Sequence, residues 1–236
     1  MGDGMSNILD TLITIIFGSV SGISRAVSQA AGGLEDFFYV KVNGLSFIVL
    51  GARQTGKTTL IEWLRRNLHD LGDFEPEPTA AGGDMVNSFS APVDDGRYLK
   101  LKPNRDVGGE YAMWETDWVE LFREAKPRGI LFLADHTDIA LHKDALNFVM
   151  QMIDDEPEAA RHLKAFFVII NKQDVWGIDH PLEEMTSAYR NEQKRLRAQA
   201  ERLGYKWSFM GGSILSGYGM TEALRKFFNT LRPKPR

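Results

Sequence analysis

The chain has no cysteine among its 236 residues. That absence excludes disulfides, thiolate metal sites, cysteine nucleophiles and S-acylation together, and it fits a reducing compartment. Basic residues are not in excess: 28 Lys and Arg stand against 32 Asp and Glu, a net charge of −4. A protein held to nucleic acid by phosphate contacts is usually basic, so no nucleic-acid partner is expected. No run reaches 18 consecutive apolar residues, which disfavours a conventional spanning helix. Met1–Asn7 carries only Asp3, so the basic n-region of a secretory signal is missing. Internal repeats and low-complexity tracts are absent too. What remains is 43% apolar and 25% charged, the composition of a globular protein with a core, and a length suited to one domain plus an extension. A cytoplasmic location is expected.

The first thirty-odd residues differ from the rest. Apolar residues at Leu9, Leu12, Ile13, Ile16, Val20, Ile23, Val27 and Ala30 alternate three and four apart, which predicts a helix with one apolar face. Gly32-Gly33 ends it. Phe37–Val42 and Leu45–Leu50 flank Asn43-Gly44 and read as a β-hairpin. Downstream, helices are expected over Leu60–Leu71, Ala145–Ile153, Leu182–Leu203 and Met220–Leu231. Strands are expected at Ile130–Ala134, Phe166–Ile170 and Lys206–Met210, with two more in Met85–Lys102 joined near Asp94-Asp95-Gly96. Short apolar runs alternating with amphipathic helices predict an α/β fold, a mostly parallel central sheet with helices on both faces.

After the strand Leu45–Leu50 comes Gly51-Ala-Arg-Gln-Thr-Gly56-Lys57-Thr58 and then a helix. This is G-x-x-x-x-G-K-[ST] in the strand–loop–helix context of a phosphate-binding loop. Its glycines let the backbone wrap phosphates, and its N–H groups and helix N-terminus supply positive potential. The phosphate-binding residues expected are Gly51, Arg53, Gln54, Thr55, Gly56, Lys57, Thr58 and Thr59. Lys57 would contact the terminal phosphates and the Thr58 hydroxyl would ligate Mg²⁺.

The loop does not choose a base. The buried strand Phe166–Ile170 ends in Asn171-Lys172-Gln173-Asp174. Guanine offers N1–H and an exocyclic amine as adjacent donors, and one carboxylate accepts both, a pair that adenine lacks. Asp174 suits that task, with the Lys172 stem covering the base plane and Asn171 tying loops together. Between the two motifs lies Asp106-Val107-Gly108-Gly109. Asp106 can reach Mg²⁺ through water, and Gly109 can offer its N–H to the γ-phosphate.

The phosphate loop, DVGG and NKQD, in this order and spacing, resemble the small GTPases, and DVGG with NKQD looks most like the Arf/Sar branch. Trp207–Gly219 resembles that branch's last guanine-contacting loop, which would place the Ser213 and Ile214 backbone against the base. Pro78-Thr79 resembles the switch I Pro-Thr, whose threonine ligates Mg²⁺. The resemblance implies a P-loop GTPase fold from about Leu45 to Leu231. It also implies GTP or GDP with Mg²⁺ as ligands, metal contacts from Thr58, Thr79 and Asp106, and exchange factors, GTPase activators and effectors as partners. The domain division expected is 1–35 for the helical extension and 36–236 for the GTPase domain.

Three features depart from the family pattern. Glu110 stands where glutamine often orients the attacking water, which predicts slow hydrolysis; Lys57, Gly109 and Glu110 are the catalytic candidates. Arg53 adds bulk in the phosphate loop. Lys100–Arg105 is polar where a clean strand belongs, and Pro103 suits an edge or bulge. The Arf branch couples an N-terminal amphipathic helix to nucleotide state. Here the polar face is Ser/Thr/Gly-rich and only Asp10 and Arg25 are charged between Asn7 and Ala30. Membrane contact through residues 8–30, at the cytoplasmic face, would therefore rest on apolar insertion. Docking on its own domain or self-association are the other readings. Met1-Gly2 with Ser6 fits the N-acylation pattern, with Asp3 an unfavourable neighbour. The leading expectation is a Mg²⁺-dependent switch hydrolysing GTP to GDP. The alternative is a constitutive GTP-binding assembly module resembling the β subunit of the signal-recognition-particle receptor. A P-loop ATPase or kinase is opposed by NKQD.

Overall fold

Three largely apolar runs, LSFIVL, GILFLA and AFFVII, form adjacent strands buried along their whole length. Such sequences suit a parallel sheet covered on both faces. The computed structural model describes residues 44–65, 82–92 and 98–233. The N-terminal helix, Phe37–Val42, Pro78-Thr79 and the Asp94–Gly96 turn lie outside them.

In chain order the elements begin with β1 (Leu45–Leu50), α1 (Lys57–Arg65), β2 (Asp84–Met85), β3 (Phe89–Pro92), β4 (Tyr98–Lys102) and β5 (Arg105–Asp106). Next come α2 (Tyr111–Met113), a π-helical turn (Trp114–Trp118), α3 (Val119–Ala125), β6 (Gly129–Ala134), α4 (Ile139–Asp155) and α5 (Pro157–Ala160). The last are β7 (Ala165–Ile170), α6 (Gln173–Trp176), α7 (Leu182–Ser187), α8 (Arg190–Leu203), β8 (Lys206–Gly211) and α9 (Met220–Leu231). The main sheet runs β3-β4-β1-β6-β7-β8, with β2 and β5 paired separately. Five of its strands are parallel and only β3 is antiparallel, on β4.

Alternate residues of each strand serve opposite faces. Ile48, Leu50, Ile130, Phe132, Phe166 and Val168 join a core with Trp114, Trp118, Leu146, Val149 and Leu196. On the other face Phe47 and Phe167 meet Phe227 of α9 edge-on at 6.1 and 5.4 Å. Each fully buried ring contributes about 2 kcal/mol. Gly129 allows the close approach of α9, because a Cβ there would stand 2.4 Å from the Phe227 ring.

The register aligns the carboxyl ends of the strands. Ala134 lies beside Ile170 and Ile170 beside Gly211, while Leu50 lies beside Phe132. The loops after β1, β6, β7 and β8 therefore leave the sheet side by side, where open α/β sheets bind ligands.

The partner strand of the hairpin expected around Asn43-Gly44 lies outside the described residues; the described neighbours of β1, β4 and β6, are both parallel to it. Several expectations are corrected. Met85–Lys102 holds three strands, because Met85 belongs to the separate β2–β5 pair. Across Lys100–Arg105, β4 ends at Lys102 and Asn104 turns left-handed at φ 70°. Its side-chain amide donates to the Phe47 and Lys102 carbonyls, which stitches the break to β1. The helix expected over Leu182–Leu203 is two helices. Thr186 and Ser187 hydroxyls bond back to the Glu183 and Glu184 carbonyls, and the Gln193 side chain takes the Thr186 carbonyl at 2.7 Å. Those local bonds compete with the helical ladder, and the break buries Tyr189 completely. The helical stretch over 111–125 was not expected from the sequence at all.

Candidate functional site

The loop after β1 is shaped by three residues with left-handed or glycine-only backbone: Gly51 at φ 150°, Gln54 at 61° and Gly56 at 95°. Gly51 is confined as well, since a Cβ would meet the Leu133 carbonyl oxygen at 2.3 Å. Inside the curl the Thr55 hydroxyl donates to the Ala52 carbonyl at 2.9 Å. The Lys57 ammonium donates to the same oxygen at 3.1 Å. Successive N–H groups in such a curl, closed by a helix N-terminus, form an anion-binding concavity. Arg53 and Gln54 are exposed at its rim, and Thr58 and Thr59 are half-buried in the first turn of α1.

Lys57 itself is only 6% exposed. Burial pushes its pKa down to about 8, against the opposing pull of Asp106 and Glu110. A buried ammonium whose nearby carboxylates do not offset its desolvation favours an anion in the adjoining loop.

Asp106, at the end of β5, accepts a hydrogen bond from the Thr58 hydroxyl at 2.6 Å. Gly109, three residues on, sits against the phosphate loop: a Cβ there would lie 2.4 Å from both the Ala52 carbonyl carbon and the Arg53 nitrogen. Thus Asp106, Gly109 and the loop are brought together, and Glu110 is exposed beside them.

At the end of β7, Asn171 connects two further segments. Its amide donates to the Thr55 carbonyl at 2.9 Å, and its side-chain oxygen accepts from Ile214 N–H at 3.1 Å. Its own carbonyl accepts from the Trp176 indole at 2.7 Å. Gln173 N–H reaches the Gly212 carbonyl at 3.1 Å, so NKQD and the loop after β8 are pinned together. Ser213 is fully buried and its hydroxyl oxygen accepts from Ser216 N–H at 3.1 Å. Asp174 is exposed in the first turn of α6. Thr79 lies outside the described residues.

Sequence reasoning missed Asp135, the first residue after β6. It is 1% exposed. Its carboxylate accepts from the Lys172 ammonium at 2.5 Å, from His142 Nε2 at 3.0 Å, and from the Thr137 N–H and hydroxyl at 2.8 and 2.6 Å. Burial alone would raise its pKa, but the bonds from His142, Lys172 and Thr137 outweigh it and hold the carboxyl well below the ordinary range. An acidic residue following a fully apolar strand at the ligand end of a parallel sheet was the available signal. Lys172, in the left-handed region at φ 62°, is thus fixed at both backbone and ammonium.

The hydroxyl of Thr58 and the carboxylate of Asp106 are hard oxygen donors in direct contact, a set that suits Mg²⁺ completed by phosphate and water. Among the described residues no group of three His, Asp or Glu side chains is placed to hold a metal. None of the described helices is long and apolar enough to cross a membrane.

No protein-family model matches the chain. No curated protein matches it either. Among solved structures the chain is similar to a bacterial selenocysteine-specific elongation factor, EF-Sec, at 17% identity and a TM-score of 0.46. The match covers 80% of this chain and 29% of that one, so this chain spans less than a third of its neighbour's length.

Two stability measurements check this electrostatic account. Asp135→Ala leaves Lys172 and buried His142 without their acceptor and should lower unfolding free energy by about 3 kcal/mol in urea titrations at pH 7. The Asp135 contribution is intact above the ordinary pKa of 3.8 and is lost as pH falls towards the depressed folded value. Lys57→Met has the opposite sign. It should stabilise the ligand-free chain by about 2–3 kcal/mol at pH 7. The gain should shrink as pH rises from about 8 to the ordinary value of 10.5, where the wild-type lysine is neutral in the folded chain.

Proposed function

We propose that the protein is a guanine-nucleotide-binding switch that hydrolyses GTP to GDP. The observation that carries this reading is the Asn171 bridge, which joins the phosphate loop, NKQD and the loop after β8 at one end of the sheet. Phosphate and base would then be held by one connected set of hydrogen bonds. In this reading Gly51, Arg53, Gln54, Thr55, Gly56, Lys57, Thr58 and Thr59 surround the phosphates. Lys172, held by Asp135, covers the base plane, and Asp174 accepts the two guanine donors. The Ser213 and Ile214 backbone supports the base from the far side.

Thr58 and Asp106 would hold Mg²⁺, with Thr79 as a further ligand, and the ion would neutralise phosphate charge. Lys57 stabilises the negative charge that grows on the phosphoryl oxygens, and its burial strengthens that interaction. Gly109 donates its N–H to the γ-phosphate. Glu110 accepts a hydrogen bond from water but places negative charge beside the phosphates, so turnover is slow. The Arf/Sar-like motif set supports a switch controlled by exchange factors, activators and effectors. The apolar face of residues 8–30 would supply membrane or partner contact at the cytoplasmic side, within an extension covering 1–35.

GDP and GTP should raise the melting temperature of the purified chain, whereas ADP and ATP should leave it unchanged. Asp174→Ala should weaken GDP binding by about 100-fold or more without creating adenine binding. Equal stabilisation by all four nucleotides would overturn the base assignment.

Glu110 also supports the second reading, a constitutive GTP-bound assembly module. Single-turnover hydrolysis by Glu110→Gln separates the two. A rise of about tenfold or more is expected for the switch, together with GTP-dependent flotation of the full chain with liposomes. An unchanged rate and equal flotation in GDP and GTP would favour the module.

A further inference from the structure

The segment after DVGG holds two tryptophans in an unusual arrangement. Trp114 and Trp118 bound the π-helical turn, are 2% and 0% exposed, and stack at 5.3 Å with 24° between their planes. Both pack on Phe148 of α4. Each indole then spends its single donor on the DVGG backbone: Trp118 on the Gly108 carbonyl at 2.8 Å, and Trp114 on the Gly109 carbonyl at 3.1 Å. An i→i+5 turn is wider than an α-turn, and here it brings two aromatic rings on one face under two successive peptide groups.

Those bonds have a directional consequence. No described peptide bond is cis, and in a planar trans peptide the carbonyl of one residue and the N–H of the next point in opposite directions. Holding the Gly108 oxygen on a core indole therefore turns the Gly109 N–H away from the core. Holding the Gly109 oxygen does the same for Glu110 N–H. Two consecutive glycines would otherwise rotate freely about this linkage. Gly109 is meanwhile pressed against the Ala52-Arg53 backbone, so this peptide lies beside the Gly51–Thr58 loop.

We propose that Trp118 is a positioning residue for recognition of the terminal phosphate: its indole fixes the Gly108–Gly109 peptide so that the Gly109 N–H is preset for the γ-phosphate, and Trp114 supports it from the next peptide. This rests on the guanine-nucleotide reading. It deepens that reading by assigning triphosphate-over-diphosphate preference to a side chain that touches neither phosphate nor base. The two indoles do for this linkage what an oxyanion hole does for its donors, which is to remove the reorganisation needed when charge arrives.

The test is the affinity of the full chain for GDP and for GppNHp, by calorimetric titration with Mg²⁺ present. Wild type is compared with Trp118→Phe, which keeps an aromatic ring but lacks the donor. GppNHp binding should weaken by roughly tenfold, the worth of one hydrogen bond to a charged group, while GDP binding stays within about twofold. If Trp118→Phe does not fold, the benzothiophene analogue of tryptophan at position 118, with sulfur in place of N–H, gives the same comparison at constant shape. Equal loss for both nucleotides, or no loss for either, in a folded variant would overturn the positioning role while leaving guanine-nucleotide binding intact. Failure of wild type to bind either nucleotide would overturn the underlying reading, and this inference with it.

Discussion

The side chain of Asn171 is the joint on which the ligand end of this molecule depends. It links backbone groups 116 residues before it and 43 after it, at Thr55 and Ile214. No main-chain ladder connects those segments, because each has already left the sheet. An amide is suited to the task, since it carries donor and acceptor on one planar group. The site is also crowded: a Cβ on Gly56 would come within 2.7 Å of the Asn171 nitrogen. Removing the side chain would leave two buried backbone groups unsatisfied, at about 1–3 kcal/mol each, and would separate the phosphate loop from the segments proposed to read the base.

Around that joint the chain stores charge at a cost to its own stability. Lys57 is buried with its pKa lowered to about 8, whereas Asp135 is buried with enough donors to keep it ionised. The contrast separates two uses of buried charge. Asp135 is fully compensated and organises its neighbours, in particular Lys172. Lys57 is under-compensated, so an anion entering the loop recovers the energy that folding gave up.

Much of this was readable from residues in a row. The runs of β1, β6 and β7 announce buried parallel strands because only Ser46 among their residues is polar, and Gly51–Thr58 carries its geometry in its glycines and lysine. The α9 helix shows its apolar stripe at Met220, Ala223, Leu224, Phe227 and Leu231. The illegible features are those set by partners distant in sequence. Asp135 reads as one more polar loop residue until β7 brings Lys172 alongside. The break at Tyr189 is written in side chains that bond back to nearby carbonyls, which helical periodicity does not register. The stretch from Tyr111 to Ala125 is a different case, because Trp114, Trp118, Leu121 and Phe122 do fall at helical spacing and are buried; that signal was there to be read.

The π-helical turn at Trp114–Trp118 has an optical side. Of five tryptophans in the chain, two lie nearly parallel at 5.3 Å, close enough for their electronic transitions to couple. Such a pair gives an exciton couplet in far-ultraviolet circular dichroism, from the intense indole transition, that isolated indoles lack. Because the same rings hold the Gly108 and Gly109 carbonyls, a turn of those peptides that keeps the bonds carries the rings with it. The protein thus carries a native chromophore wired to its DVGG backbone, and the sign and size of one spectral couplet follow the conformation of that segment without any added label.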